Sequence, residues 1–160
     1  MRLGLRSGLL VLLTAGALSC NSAGGSTRAT STASSASAIR LQLDRYRAAV
    51  MAMNYDAIAS VFTANASLSH DQQSPITSRD SIRKFLMSFS AYHVTAYELV
   101  ADSQTVSGAD ARAIGHYTQT VRIPDGTIVT VTGTFTTQWR READGIWRII
   151  VLHTASPPHS

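Results

Sequence analysis

The sequence predicts an α+β domain, a cone in which three N-terminal helices pack on a curved antiparallel sheet. Three observations predict it. Apolar residues at spacings of three and four fill the first half of the folded region, which gives helices with one buried face. From Tyr92 onward the period changes to two, in four runs rich in Val, Ile, Thr, Tyr and Trp. Short turn-forming segments separate the runs and tie neighbours into antiparallel hairpins. A sheet with one apolar face needs cover, and the helices supply it. The strands are longer than the usual 3 to 10 residues, so curvature is expected, and a curved sheet closed by helices leaves an apolar interior suited to a small molecule.

The chain opens Met1-Arg2-Leu3-Gly4-Leu5-Arg6, with two positive charges and no acid, followed by the apolar run Gly8–Leu18. A bilayer span takes about 20 apolar residues, so residues 1–19 have instead the layout of a secretory signal peptide. The run ends Gly16-Ala17-Leu18-Ser19-Cys20, and Cys20 is the only cysteine. This resembles a bacterial lipobox, with Ala17 where leucine is usual. The resemblance implies lipidation at Cys20, a membrane anchor and a place in the bacterial cell envelope. An ordinary signal peptide with an incidental cysteine would instead give a secreted or periplasmic protein.

Asn21–Ala38 is almost wholly Ser, Ala, Thr and Gly. With no periodic apolar residues it has nothing to bury, so residues 20–38 are expected to be a lipidated cysteine and a flexible tether. Residues 39–156 then form one domain, and 157–160 a short tail. That domain contains no cysteine, so it is held without disulfides or thiolate metal sites. The formal charge is +4, and removing Arg2 and Arg6 leaves 12 basic against 10 acidic residues. This balance gives no footprint for nucleic acid.

Ile39, Leu43, Tyr46, Val50 and Met53 mark the first helical face. Asn54 is expected to end it and Asp56 to cap a short second helix carrying Ile58, Val61 and Phe62. Ala66–His70 reads as a short strand and Gln72–Thr77 as a loop. Thr77-Ser78-Arg79-Asp80 has the form of a capping box, ahead of a third helix carrying Ile82, Phe85, Leu86 and Phe89. Tyr92–Ala101, Ala111–Ile123, Thr127–Arg141 and Ile146–Ala155 read as strands. Their separators are Ser107-Gly108-Ala109-Asp110, Pro124-Asp125-Gly126 and Ala143-Asp144-Gly145.

Two stretches carry a family resemblance. One runs from Arg45-Tyr46-Arg47-Ala48-Ala49-Val50 through Asn54-Tyr55-Asp56-Ala57-Ile58-Ala59-Ser60-Val61-Phe62 to Ala66. The other runs from Gly133-Thr134-Phe135-Thr136-Thr137-Gln138-Trp139 through Gly145-Ile146-Trp147-Arg148-Ile149 to His153-Thr154-Ala155-Ser156. They resemble the nuclear transport factor 2-like superfamily, in its SnoaL-like and ketosteroid isomerase-like branch, over essentially all of residues 39–156. The resemblance implies the cone fold, a ligand pocket and a homodimer. It also implies a first-helix tyrosine donor, for which Tyr46 stands in place. Where the isomerases carry a catalytic aspartate, this chain has His70, with Asp71 next to it. The second acid falls in Thr134–Thr137, which holds none. Stabilising a dienolate needs paired donors aimed at one oxygen, so ketosteroid isomerisation carries over badly.

His153 alternates with Trp147, Ile149 and Val151 and is expected to point into the cone, as a general base or as a satisfied core histidine. His70 stands near the expected mouth, as a base or as a solvated loop residue. Tyr46, His70, Phe135, Trp139, Val151 and His153 are the expected pocket residues, with Tyr46, His70 and His153 the catalytic candidates. Four histidines scattered through the domain lack metal-ligand spacing, and neither a metal nor a cofactor is expected. The stripe Thr130, Thr132, Thr134, Thr136, Gln138 suits a homodimer face or a plain exposed sheet. Three functions stay open: a cone that binds a small, largely apolar molecule, an isomerase, dehydratase or cyclase using a histidine base, and a protein-interaction module.

Overall fold

The computed structural model describes residues 23–157, with side chains from Thr32 onward. The signal peptide, Cys20 and the end of the tail lie outside the described residues. In chain order the elements are α1 (Ala23–Met51), α2 (Tyr55–Ser60), β1 (Phe62–His70), β2 (Ile76–Thr77), α3 (Arg79–Met87), β3 (His93–Ser107), β4 (Asp110–Arg122), β5 (Ile128–Arg141) and β6 (Trp147–Ala155).

The helix α1 starts well before Ile39, inside the segment expected to be a tether. Its buried stripe continues upstream from Ile39 to Ser35 at helical spacing, and the Ala36 carbonyl accepts a hydrogen bond from Gln104 Nε2 at 3.3 Å. A stripe that ends in small polar residues is invisible to a count of apolar ones, while alanine is the best helix former. At its other end Met53 takes a positive φ of 52°, and Asn54 caps α2 by accepting from the Ala57 N–H. Asp56, expected as that cap, sits in the first turn instead, where a carboxylate favours the helix dipole, and pairs with Arg83 of α3. Ser78, one residue later than the expected capping box, caps α3.

The six strands form one sheet in the order β2-β1-β6-β5-β4-β3. All pairs are antiparallel except β1–β6, which is parallel, so the expected antiparallel sheet is mixed. The third helix is not N-terminal to the sheet but follows β1 and β2, and packs on β1 and α2. Irregular register near Thr95 and Asp102 in β3, and at Ile150 in β6, bends the strands.

The concave face can be read along the register. Val129, Val131, Gly133, Phe135, Thr137 and Trp139 of β5 share it with the odd-numbered residues of β4. At the end near the Ser107–Asp110 turn this face is filled: Ala111, Ala113, Trp139, Trp147 and Ile149 are buried against Phe62 and Ile39. Thr137 has a polar task there. Its hydroxyl accepts from Trp139 Nε1 at 2.7 Å and donates to the Ala113 carbonyl at 3.3 Å. Toward the other end the same face opens: Tyr97, Leu99 and Gln119 are half-buried, and Val129 and Val131 are exposed.

Candidate functional site

The half-open part of the cone holds three tyrosines from three elements. Tyr46 comes from α1, Tyr97 from the concave face of β3 and Tyr117 from that of β4. The Tyr46 ring meets Phe62 and Tyr97 edge-on, with centroids 6.2 and 6.4 Å apart. Small residues make the room. A Cβ on Gly133 would lie 2.7 Å from the Tyr117 hydroxyl, and one on Gly115 would lie 2.7 Å from the Phe135 ring.

All three phenols are held neutral. Burial pushes Tyr46 up to about 12, with the neighbouring Tyr117 adding to the rise and a hydrogen bond from Tyr97 opposing it. Burial raises Tyr97 further still, with the charges of Tyr46 and Tyr117 behind it. Burial also raises Tyr117, followed by repulsion from the Asp71 carboxylate. Neutral phenols among apolar walls can donate to a carbonyl or hydroxyl oxygen without bringing a charge into the cone.

Where β1 and β6 end side by side, a polar clasp stands next to Tyr117. Asp71 has a left-handed backbone, φ 47°. Its N–H donates to the Thr154 carbonyl at 2.8 Å. Its carboxylate accepts from the Ser156 N–H at 2.8 Å and from the Ser156 hydroxyl at 2.9 Å. These bonds hold the Asp71 carboxyl below its ordinary range, assisted by His70 and His153. His70 lies on the concave side with Thr154. Its Nδ1 meets Thr154 Oγ1 at 2.9 Å, and its Nε2 lies 3.2 Å from the Asp71 carboxylate and 3.4 Å from Ser156 Oγ. Both ring nitrogens are therefore engaged by the protein, which suits a fastening role better than proton abstraction.

Of the expected pocket residues, Tyr46 and His70 both lie on the concave side, Tyr46 against Tyr97 and His70 beside Thr154. Phe135 and Trp139 do face inward, but they are almost wholly buried in the filled end. Val151 and His153 turn the other way. Ile150 is an extra residue: Trp139 pairs with Ile149 but Gln138 pairs with Val151. One inserted residue inverts every later side chain, so Leu152 joins Trp147 and Ile149 in the core. His153 sits instead on the convex face beside Thr136, its Nδ1 2.9 Å from Ser69 Oγ. His116 shares that face and pairs with Asp102 at 3.1 Å. No three possible metal ligands converge among the described residues.

Tyr97, Leu99, Tyr117 and Gln119 are site residues that the sequence reading missed. The signal was present in the alternation Ala111, Ala113, Gly115, Tyr117, in which small residues along a strand end in one large polar ring. An open groove of about 440 Å³ lies outside the cone, among α1, α2 and the β5–β6 turn. Its Arg148 is already neutralised by Glu142 at 2.5 Å and Asp144 at 2.8 Å.

Solved structures share this architecture. A ketosteroid isomerase-like protein from Erwinia carotovora atroseptica superposes with a TM-score of 0.67 at 16% identity, covering 77% of this chain and 96% of that one. A nuclear transport factor 2-like protein with a cystatin-like fold from Novosphingobium aromaticivorans gives 0.68 at 18%, covering 85% and 88%. A protein from Catenulispora acidiphila, solved in complex with S-DNPA, gives 0.65 at 14%, covering 78% and 94%. At these identities the likeness is one of fold. No curated protein matches the chain in sequence. Residues 31–153 match the SnoaL-like domain family, beginning within α1 rather than at Ile39. The chain belongs to the SnoaL-like domain family, and it carries the cone fold of the nuclear transport factor 2-like and ketosteroid isomerase-like proteins.

Proposed function

We propose that the cone binds a small, largely apolar molecule and holds its polar end with neutral phenol hydroxyls. One observation carries the reading. The concave face passes from a filled end at Trp139 to half-buried Tyr97, Leu99 and Gln119, with the hydroxyl-bearing Tyr46, Tyr97 and Tyr117 between apolar walls. Small-molecule sites have this composition, an apolar wall with a few placed donors. The engaged ring nitrogens of His70, and the convex placement of His153, favour binding over proton-transfer catalysis. The relative from Catenulispora acidiphila, described in complex with S-DNPA, supports a ligand role for the fold.

The leader supports placing this domain in the bacterial envelope, anchored through Cys20. The Thr-rich convex face of β5 supports a second copy as partner.

Native mass spectrometry of the protein purified gently from its own cells tests the binding role. The expected result is a retained small molecule that is lost in Leu99→Asp, which puts a charge on the half-buried wall. Ligand-free protein that takes up nothing from a cell extract, or equal retention in Leu99→Asp, contradicts the role.

A further inference from the structure

Gln104 and Gln119 both face the concave side, and the fold treats them differently. Gln104 of β3 pairs with the buried Ala113 at the filled end, and its carboxamide donates to the Ala36 carbonyl of α1 at 3.3 Å. Gln119 of β4 is half-buried as well, but it stands on the open wall, and its carboxamide has no hydrogen-bond partner among the described residues. The register fixes its surroundings. Tyr97 and Val131 stand directly across from it on β3 and β5. Tyr117 stands two residues back on the same strand and face, about 7 Å away along it. The Tyr117 hydroxyl likewise has no hydrogen-bond partner among the described residues.

A free carboxamide costs nothing while water reaches it. It becomes costly when something apolar covers it, because the group then loses its hydrogen bonds to solvent and gains none. Gln119 belongs to the wall proposed above as the ligand site, so the occupant of that wall must answer both of its polar atoms: Oε1, which accepts, and Nε2, which donates. The neutral phenol of Tyr117 asks for an acceptor beside them. The neighbouring positions carry no charge, with Tyr97 and Val131 in the row of Gln119 and Leu99, Tyr117 and Gly133 in the next. The charge that does act on Tyr117 is negative, the carboxylate of Asp71.

We infer that Gln119 sets the ligand class: the polar end of the ligand is a neutral primary amide or lactam, whose carbonyl accepts from the Tyr117 hydroxyl and from Gln119 Nε2 and whose N–H donates to Gln119 Oε1. In such amides the N–H lies on the same side as the carbonyl, so one carboxamide can pair with both, and the carbonyl oxygen has a second lone pair for the phenol. One oxygen held by two hydrogen bonds of about 2.9 Å bridges side chains at this spacing. A ketone answers the phenol but leaves Gln119 Oε1 unpaired. A carboxylate has no proton for Oε1 and brings a negative charge toward Asp71. The inference deepens the cone-binding role proposed above and rests on it.

Cyclohexanecarboxamide, cyclohexyl methyl ketone and cyclohexanecarboxylate share one shape and differ in the polar group they offer. Calorimetric titration of the purified full chain near neutral pH compares them. The carboxamide should bind about tenfold tighter than the ketone or better, and the carboxylate should bind weakest. In Gln119→Met and Gln119→Leu, apolar replacements of similar size at a half-buried position, the ratio of carboxamide to ketone affinity should fall to about one. Equal affinity for carboxamide and ketone in the parent chain, or a preference that survives both substitutions, overturns the inference while leaving the cone as the site. Leu99→Asp separates this from the role beneath it, because a charge on the wall should weaken all three compounds together. Binding that is indifferent to Leu99→Asp, or no binding of any of the three, contradicts the cone-binding role and the inference with it.

Discussion

Tyr46, Tyr97 and Tyr117 show how a side chain's surroundings choose its chemistry. A phenol in water ionises near pH 10, whereas each of these is held protonated by burial and by its neighbours. The sign of the linkage follows. A group whose folded pKa lies above its unfolded value stabilises the fold fully below the unfolded value and loses that contribution as pH rises through the folded one. For Tyr46 the window runs from about pH 10 to about 12. Urea midpoints should therefore fall steeply across that range, and Tyr46→Phe should blunt the fall because the substituted ring has no proton to lose. An alkaline limb unchanged by Tyr46→Phe would show that the hydroxyl is not buried in the folded protein.

At the scale of elements, two small features decide what the strands present. One is Gly115. A Cβ there would stand 1.9 Å from the Val100 carbonyl oxygen, a backbone atom that cannot move aside. Gly115→Ala should thus destabilise the protein by about 3 kcal/mol or more, measured by chemical denaturation, because β3 and β4 must part or the Phe135 ring must leave its place. The other is Ile150, whose insertion into β6 sends Leu152 inward and His153 outward. Ile150 also marks the limit of what the sequence discloses. The helical faces, the hairpin turns and the cone were legible because period and turn chemistry are local. The strict alternation of Trp147, Ile149, Val151 and His153 looked equally clear and was misleading. A bulge is set by pairing with β5 and β1, which no spacing within one strand records. The early start of α1 was hidden for a related reason, since Ser35 is buried and Ala36 half-buried by what they pack against rather than by their own hydrophobicity. The parallel β1–β6 pair could not be read either, as it joins segments more than 80 residues apart.

The whole molecule combines a closed end and an open one. The buried tryptophans, Phe62 and Ile39 fill the cone near the Ser107–Asp110 turn. The clasp of Asp71, His70 and Ser156 pins β1 to β6 beside Tyr117. What remains open is a half-buried wall with neutral donors, and that wall is the proposed site. The rival locations are separate: the groove around Arg45 and Arg148 lies outside the cone, and His153, Ser69 and Thr136 lie on the convex face. Backbone amide NMR shifts on adding 1-octanol would distinguish them most directly. Binding on the tyrosine wall gives saturable shifts at Tyr97, Leu99, Tyr117 and Gln119, with His153 and Arg148 unmoved. Shifts centred on His153 and Thr136, or on Arg45 and Ile146, with the tyrosine wall silent, would contradict it.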